Sequence, residues 1–157
     1  MPSKLAAFKI HRRAATVAIF SGRTLDFVDV HHLSNVPKVA TETLSRFIGW
    51  IVENFHPEIA ALALDESGDE SEGDRPLRTQ ILTEIVERNL LEHGIPVWKV
   101  ADSQLLESYA IPSLTQKHDL REIAASMWPY LAKEHVPAVD AALIGLYVQV
   151  ERLLSHN

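Results

Sequence analysis

The residues with the clearest chemical potential are the acids in the segment LALDESGDESEGDRP, residues 62–76. Asp65 and Glu66 directly follow an apolar run, and six acids in all occur from Asp65 to Asp74, with no lysine or arginine between them. Carboxylate oxygens are hard ligands that suit divalent cations such as Mg²⁺. The segment therefore predicts either a metal site or a solvated polar loop, and the residues that stand opposite it in the fold decide between the two.

Five predicted strands position these acids. KLAAFKI and AATVAIFSG are joined by the polar turn HRR, and the alternating run TLDFVDVHHL comes next, which together predict three consecutive antiparallel strands. EIAALAL, residues 58–64, is almost continuously apolar, as expected of a strand buried on both faces. IPVWKV, residues 95–100, is the fifth strand. Asp65 and Glu66 are therefore expected at the carboxyl end of the fourth strand.

Segments with helical spacing of apolar residues alternate with the later strands. One stripe runs from Val39 to near Asn54, a second from Leu77 to Leu91, and a third along AVDAALIGLYVQVERLL. The second stripe is wider than one sheet contact requires, so it predicts a further buried surface such as a dimer contact. DSQLLESYA and HDLREIAASMWPYLA predict two more helices. This order is typical of a mixed sheet with helices on both faces.

The order of elements and four segments resemble the RuvC family of Holliday-junction resolvases. LAAFKIHRRAATVAIF resembles the opening hairpin of the family, FHPEIAALALDES its fourth strand, VPAVDAALIGLYV its last helix, and TQKHDLREIAASM a segment in which a basic residue precedes a helix. The resemblance implies one ribonuclease H-like α/β domain over residues 1–157. Its five-stranded mixed sheet would combine a three-stranded antiparallel meander with two parallel strands, carry helices on both faces, and have a flexible acidic loop at about 65–75.

The resemblance also implies where a nuclease site would lie. In the family, carboxylates from the first strand, the fourth strand and the last helix converge on divalent metal ions. Asp65 or Glu66 fills the fourth-strand position and Asp140 the last-helix position, but the first-strand position holds Lys9. Two like unit charges about 4 Å apart repel by roughly 4 kcal/mol at an effective dielectric constant of 20, and a divalent ion doubles this repulsion. Metal binding should therefore be weak, with Lys9 paired instead to these acids.

Other interpretations of these residues stay open. A shift of one residue in strand register would turn Lys9 towards solvent, because neighbouring residues of a strand face opposite sides. Asp26 or Asp29 of the third strand could then supply a carboxylate, although an exposed strand face is the more ordinary role for both. Asp140 could simply be a helix N-terminal acid favoured by the helix dipole. His11 and the two arginines that follow it could form a phosphate-binding turn or an ordinary exposed turn.

Composition limits the classes of site and partner. The chain has 157 residues and no cysteine, which excludes a disulfide framework and a thiolate zinc site. The net charge of −6 argues mildly against nucleic-acid binding, but the residues outside the acidic segment are balanced at 15 acids and 15 basic residues. Neither a signal peptide nor an apolar run long enough to cross a bilayer is recognisable. A cytoplasmic protein without a membrane partner is therefore expected.

These observations lead to one functional hypothesis and one alternative. The first is a RuvC-like protein with a degenerate metal site, which needs no cofactor and acts as a non-catalytic binding or scaffolding module, as a homodimer through helix 77–91. Branched DNA or RNA is its candidate partner, and the residues expected to bind it are His11, Arg12, Arg13, Lys117 and His118. The alternative is a divergent Mg²⁺- or Mn²⁺-dependent structure-specific endonuclease in DNA recombination or repair. Its catalytic and metal-binding residues would be Asp65, Glu66 and Asp140.

Overall fold

The computed structural model describes residues 4–64, 74–101, 127–129 and 138–155. The strands of its sheet are β1 (Lys4–His11), β2 (Ala14–Ser21), β3 (Thr24–His32), β4 (Ile59–Leu64) and β5 (Val97–Ala101). The long helices are α1 (Pro37–Phe55), α2 (Asp74–Glu92) and α3 (Ala138–Ser155).

The strands form a single mixed sheet in the order β3-β2-β1-β4-β5. β1 and β2 are antiparallel, as are β2 and β3, whereas β4 lies parallel to both β1 and β5. The meander of three antiparallel strands and the two parallel strands are thus confirmed. β1 lies at the centre of the sheet, next to β4, so the carboxyl ends of these two parallel strands meet at one edge.

Helices cover both faces of the sheet, as predicted. Leu5 and Ala7 of β1 belong to the core that packs against α3, while Ala6 and Phe8 belong to the core beneath α1 and α2. Both cores exclude solvent, which explains why the central strands are apolar at almost every position rather than at alternate ones. The odd-numbered residues of β1 therefore face α3.

Helix α3 lies very close to the sheet and runs opposite to β1. A Cβ atom at Gly145 would come within 2.5 Å of Phe20 Cε2 and 3.1 Å of Ala7 Cβ, so only glycine fits at this crossing. Further along α3, the Gln149 side-chain amide donates a hydrogen bond of 2.7 Å to the carbonyl of Gly22. Gly22 follows Ser21, which is paired with Lys4, so this contact lies beside the amino-terminal end of β1. The first turn of α3 therefore lies at the carboxyl end of β1.

Several boundaries differ from those predicted. Helix α2 begins at Asp74 rather than Leu77, and β5 spans Val97–Ala101 rather than residues 95–100. The acidic segment up to residue 73 lies outside the described residues, as do the predicted helix 102–110 and most of the predicted helix 118–132. In the described part of the chain, no helix combines the length and apolar character needed to cross a membrane. The cytoplasmic location stays a prediction.

Candidate functional site

The candidate site is built around an ion pair between the sheet and α3. Lys9, near the carboxyl end of β1, directs its side chain towards α3, and its Nζ donates a hydrogen bond to Asp140 Oδ2 at 3.3 Å. The Lys9 side chain is 14% exposed and that of Asp140 is 6% exposed. The alternative in which a register shift turns Lys9 to solvent is therefore wrong, and the expected pairing of Lys9 with Asp140 is confirmed.

The backbone around Lys9 is fixed by its neighbour on β2. Lys9 and Thr16 are paired across the two antiparallel strands, and the fully buried Thr16 hydroxyl donates a hydrogen bond of 3.1 Å to the Lys9 carbonyl. Asp140 lies in the first turn of α3, where the helix dipole favours a carboxylate. Asp140 thus interacts favourably with the helix terminus and with an ammonium group at the same time.

The described residues at this site do not fit a divalent metal ion. In the part of the chain that the structure describes, no group of three or more histidine, aspartate or glutamate side chains is arranged to hold a metal. The ammonium of Lys9 instead lies against the carboxylate that a metal would need. Phe8 of β1 is paired with Leu62 of β4, so β4 ends beside the carboxyl end of β1. Asp65 and Glu66 follow β4 but lie outside the described residues, and their role stays a prediction.

The two acids of β3 lie away from this site. Asp26 accepts a hydrogen bond from the Ser21 hydroxyl, and Ser21 is paired with Lys4 at the start of β1. Lys4 precedes Lys9 by five residues, a distance of about 17 Å along a strand. Asp29 faces α1, on the other side of the sheet, where it lines a cleft of about 530 Å³. The other residues that line this cleft are His31, Thr43, Arg46, Phe47 and Trp50. Neither acid can join Asp140 at one metal.

The basic turn predicted at residues 11–13 lies at the same end of the sheet as Lys9. His11 closes β1 and is partly buried, whereas Arg12 and Arg13 form the turn to β2 and are exposed. Arg78 of α2 donates to the carbonyl of Arg12 from Nε at 3.1 Å and to the carbonyl of Ser34 from Nη2 at 2.6 Å. Sequence reasoning missed Arg78, because its partners are backbone atoms distant in the chain. Lys117 and His118 lie outside the described residues.

The outward side of α2 carries a stripe of exposed residues with a symmetric order. Ile81 and Leu91 are large apolar side chains that are 47% and 54% exposed. Glu84 and Arg88 are exposed between them, so the stripe reads apolar, acidic, basic, apolar along the helix. The inner side of the same helix is buried against the sheet through Leu82, Val86 and Leu90.

Comparison with known proteins shows which solved structures share this fold. No family model and no curated protein matches the sequence. RuvC of Thermus thermophilus superposes with a TM-score of 0.79 at 14% identity, over 96% of both chains, and the same protein in complex with a Holliday junction substrate gives 0.78 at 15% identity, again over 96% of both. The yeast mitochondrial Holliday junction resolvase Ydc2 gives 0.62 at 13% identity, over 99% of this chain and 83% of its own.

These similarities confirm the fold inferred from the sequence. The chain has the ribonuclease H-like architecture of the RuvC resolvases. At this level of identity the similarity establishes the fold, while function depends on the side chains at the site.

Proposed function

We propose that this chain, built on the fold of the RuvC resolvases, binds branched nucleic acid without cleaving it. The single observation that carries the proposal is the ion pair between Lys9 and Asp140. It lies where the resemblance implies that two metal-binding carboxylates should face each other. A lysine at that position replaces a carboxylate that would attract a divalent cation by an ammonium that neutralises Asp140.

The consequence for catalysis follows from charge. Divalent metal ions supply metal-dependent nucleases with an activated water and with stabilisation of the leaving oxygen. Here the ammonium of Lys9 already satisfies Asp140, and a cation brought to the same carboxylate would be repelled by Lys9. The described residues of this site therefore favour binding over hydrolysis, and Asp140 needs no divalent ion to balance its charge.

Support for a nucleic-acid partner comes from the neighbours and from the basic turn. The Thermus RuvC of similar fold has been captured with a Holliday junction substrate. In the present chain the exposed Arg12 and Arg13 lie at the same end of the sheet as the ion pair, where they can meet phosphate oxygens. Lys117 and His118 are further candidates from the sequence.

The proposal is tested by measuring binding and cleavage of a labelled four-way junction side by side. We expect saturable binding in EDTA, tighter than to a linear duplex of the same length, with no cleavage in Mg²⁺ or Mn²⁺. Arg12→Ala/Arg13→Ala should weaken binding, while Lys38→Ala/Arg46→Ala, which removes two exposed positive charges from α1, serves as the charge-matched control. Metal-dependent cleavage that Asp140→Asn abolishes would instead establish the endonuclease alternative. Failure to bind any branched substrate would reject a nucleic-acid partner.

A second part of the proposal is a homodimer through α2. An antiparallel contact sets Ile81 against the partner's Leu91, and Glu84 against the partner's Arg88, if the twofold axis crosses the outward side of α2 midway between Glu84 and Arg88. The two apolar ends would be buried, and each of the two acids would face a base. A closed twofold interface requires one surface patch to be self-complementary, and this stripe meets that requirement.

A further inference from the structure

We propose that Arg78 is a positioning residue, which holds the turn formed by Arg12 and Arg13 in the conformation that contacts nucleic-acid phosphates. The contact with phosphate rests on the proposed function, whereas the hold on the turn is independent of it. Three features support the inference: the backbone conformation of the turn, the hydrogen bonds that the turn accepts from other parts of the fold, and the difference in exposure between Arg78 and the two arginines of the turn.

The sequence of the turn does not by itself favour the backbone conformation that the turn adopts. His11 and Ala14 are paired, so Arg12 and Arg13 make a two-residue hairpin connection. Two-residue hairpins favour turns with positive φ, because these match the twist of the strands. Among the described non-glycine residues, positive φ occurs at His56, so both arginines have negative φ. The turn between β2 and β3 differs, since it contains Gly22 at a φ of 58°.

Hydrogen bonds from residues outside the hairpin hold the backbone of the turn. The Leu33 amide donates to the carbonyl of Arg13 at 2.8 Å, and Arg78 Nε donates to the carbonyl of Arg12 at 3.1 Å. Through Nη2 at 2.6 Å, Arg78 also holds the carbonyl of Ser34, in the loop that follows β3. One guanidinium thus joins the first hairpin to the loop before α1, with both segments anchored to α2.

Only arginine can make this connection from position 78. Its guanidinium presents several N–H donors in a fixed planar fork, whereas a lysine ammonium is a compact point charge on a flexible stem. Hydrogen bonds from a charged donor are stronger than neutral ones. Lysine at this position would keep the charge but would not hold two carbonyls with fixed geometry.

Arg78 is less exposed than the two arginines that it positions. Arg78 is partly buried and directs two donors to backbone oxygens, while Arg12 and Arg13 are exposed. A turn with a fixed backbone presents its two guanidinium groups at a defined separation, which lowers the entropic cost of meeting phosphates. The ligand class is therefore the phosphodiester backbone, and Arg78 acts on it through the turn.

The test compares Arg78→Lys with Arg46→Lys, the same chemical change at an exposed position of α1. Amide hydrogen exchange is followed at residues 12–14 and 33–35, and at the Gly22 turn as an internal reference. Junction affinity is measured for each variant alone and in the Arg12→Ala/Arg13→Ala background. Circular dichroism and thermal unfolding establish that each variant is folded.

In Arg78→Lys we expect exchange at residues 12–14 to become about tenfold faster or more, with the Gly22 turn unchanged. Junction affinity should fall about tenfold, the size of a lost charged hydrogen bond, and Arg46→Lys should change neither. In the Arg12→Ala/Arg13→Ala background, Arg78→Lys should cause no further loss, because it acts only through those side chains.

Unchanged exchange at the turn would overturn the positioning role. Faster exchange with unchanged affinity, or additive losses in the combined variant, would overturn its link to phosphate binding. If the unmodified protein bound no branched substrate, the proposed function and the phosphate contact would both fail. The exchange measurement would still decide whether Arg78 holds the turn.

Discussion

Lys9 of β1 and Asp140 of α3, 131 residues apart in the chain, form an ion pair of 3.3 Å between the sheet and the first turn of the helix. The pair links the strand at the centre of the sheet to the helix that covers one face. It brings a positive charge to a position where the RuvC resemblance implies a negative one. That single change of sign has separate consequences for stability and for metal binding.

The first prediction concerns stability. Lys9→Met and Asp140→Asn should each lower the free energy of unfolding by about 2–4 kcal/mol, because each removes one partner of an almost buried ion pair. The double variant should lose less than the sum of the two, since it leaves neither charge behind. Urea unfolding at neutral pH measures all three. Glu42→Gln, which breaks an exposed pair of 3.9 Å with Arg46, is the control and should change stability by no more than about 0.5 kcal/mol. Additive losses would show that Lys9 and Asp140 act separately.

The second prediction concerns metal binding. Calorimetric titration with Mn²⁺ should detect no saturable binding to the unmodified protein, and should detect binding to Lys9→Asp. The variant replaces a repelling ammonium by a carboxylate opposite Asp140, which gives two oxygen ligands suited to a hard cation. Lys9→Met is the matched control, because it removes the charge without adding a ligand. Saturable binding by the unmodified protein would mean that the metal site lies elsewhere or tolerates Lys9.

Some parts of the fold and of the candidate site could be predicted from the sequence, and others could not. The continuous apolar runs of β1, β2 and β4 predicted buried central strands, and the ungapped fit of the first hairpin correctly directed attention to Lys9. The face of Asp29 could not be read from alternation, because a β-bulge between Ile19 and Phe20 shifts the register along β3. Arg78 could not be found either, since it binds carbonyl groups 66 and 44 residues away and no local pattern encodes such partners.

The third prediction concerns the approach of α3 to the sheet. Gly145→Ala should lower the free energy of unfolding by about 1–3 kcal/mol, because its methyl group would overlap the fully buried ring of Phe20. Gly49→Ala in α1 is the control, since its methyl group would meet no atom within 4 Å. That change should stabilise the protein by about 0.5–1 kcal/mol, the usual gain of alanine over glycine inside a helix. Thermal and urea unfolding measure both, and a neutral Gly145→Ala would contradict the close packing of α3.

The fourth prediction concerns self-association through α2. If the exposed stripe forms a twofold contact, Glu84→Arg and Arg88→Glu should each turn the dimer into a monomer, because each places like charges opposite one another. The double variant Glu84→Arg/Arg88→Glu restores opposite charges in reversed order and should recover the dimer. Sedimentation equilibrium at low salt measures the dissociation constant. A decrease of about a hundredfold or more in affinity is expected for each single variant, since like charges across an interface cost several kcal/mol.

Two further variants separate charge from apolar contact in this interface. Ile81→Ser and Leu91→Ser should both weaken the dimer, because each removes one of the two large exposed side chains that the twofold axis sets against each other. Arg46→Glu, a charge reversal on the exposed side of α1, should leave association unchanged. A protein that is monomeric before any substitution would reject the homodimer. A dimer that withstands both single charge reversals would place its interface on another surface, because the antiparallel contact at α2 cannot accept like charges at both of its polar pairs.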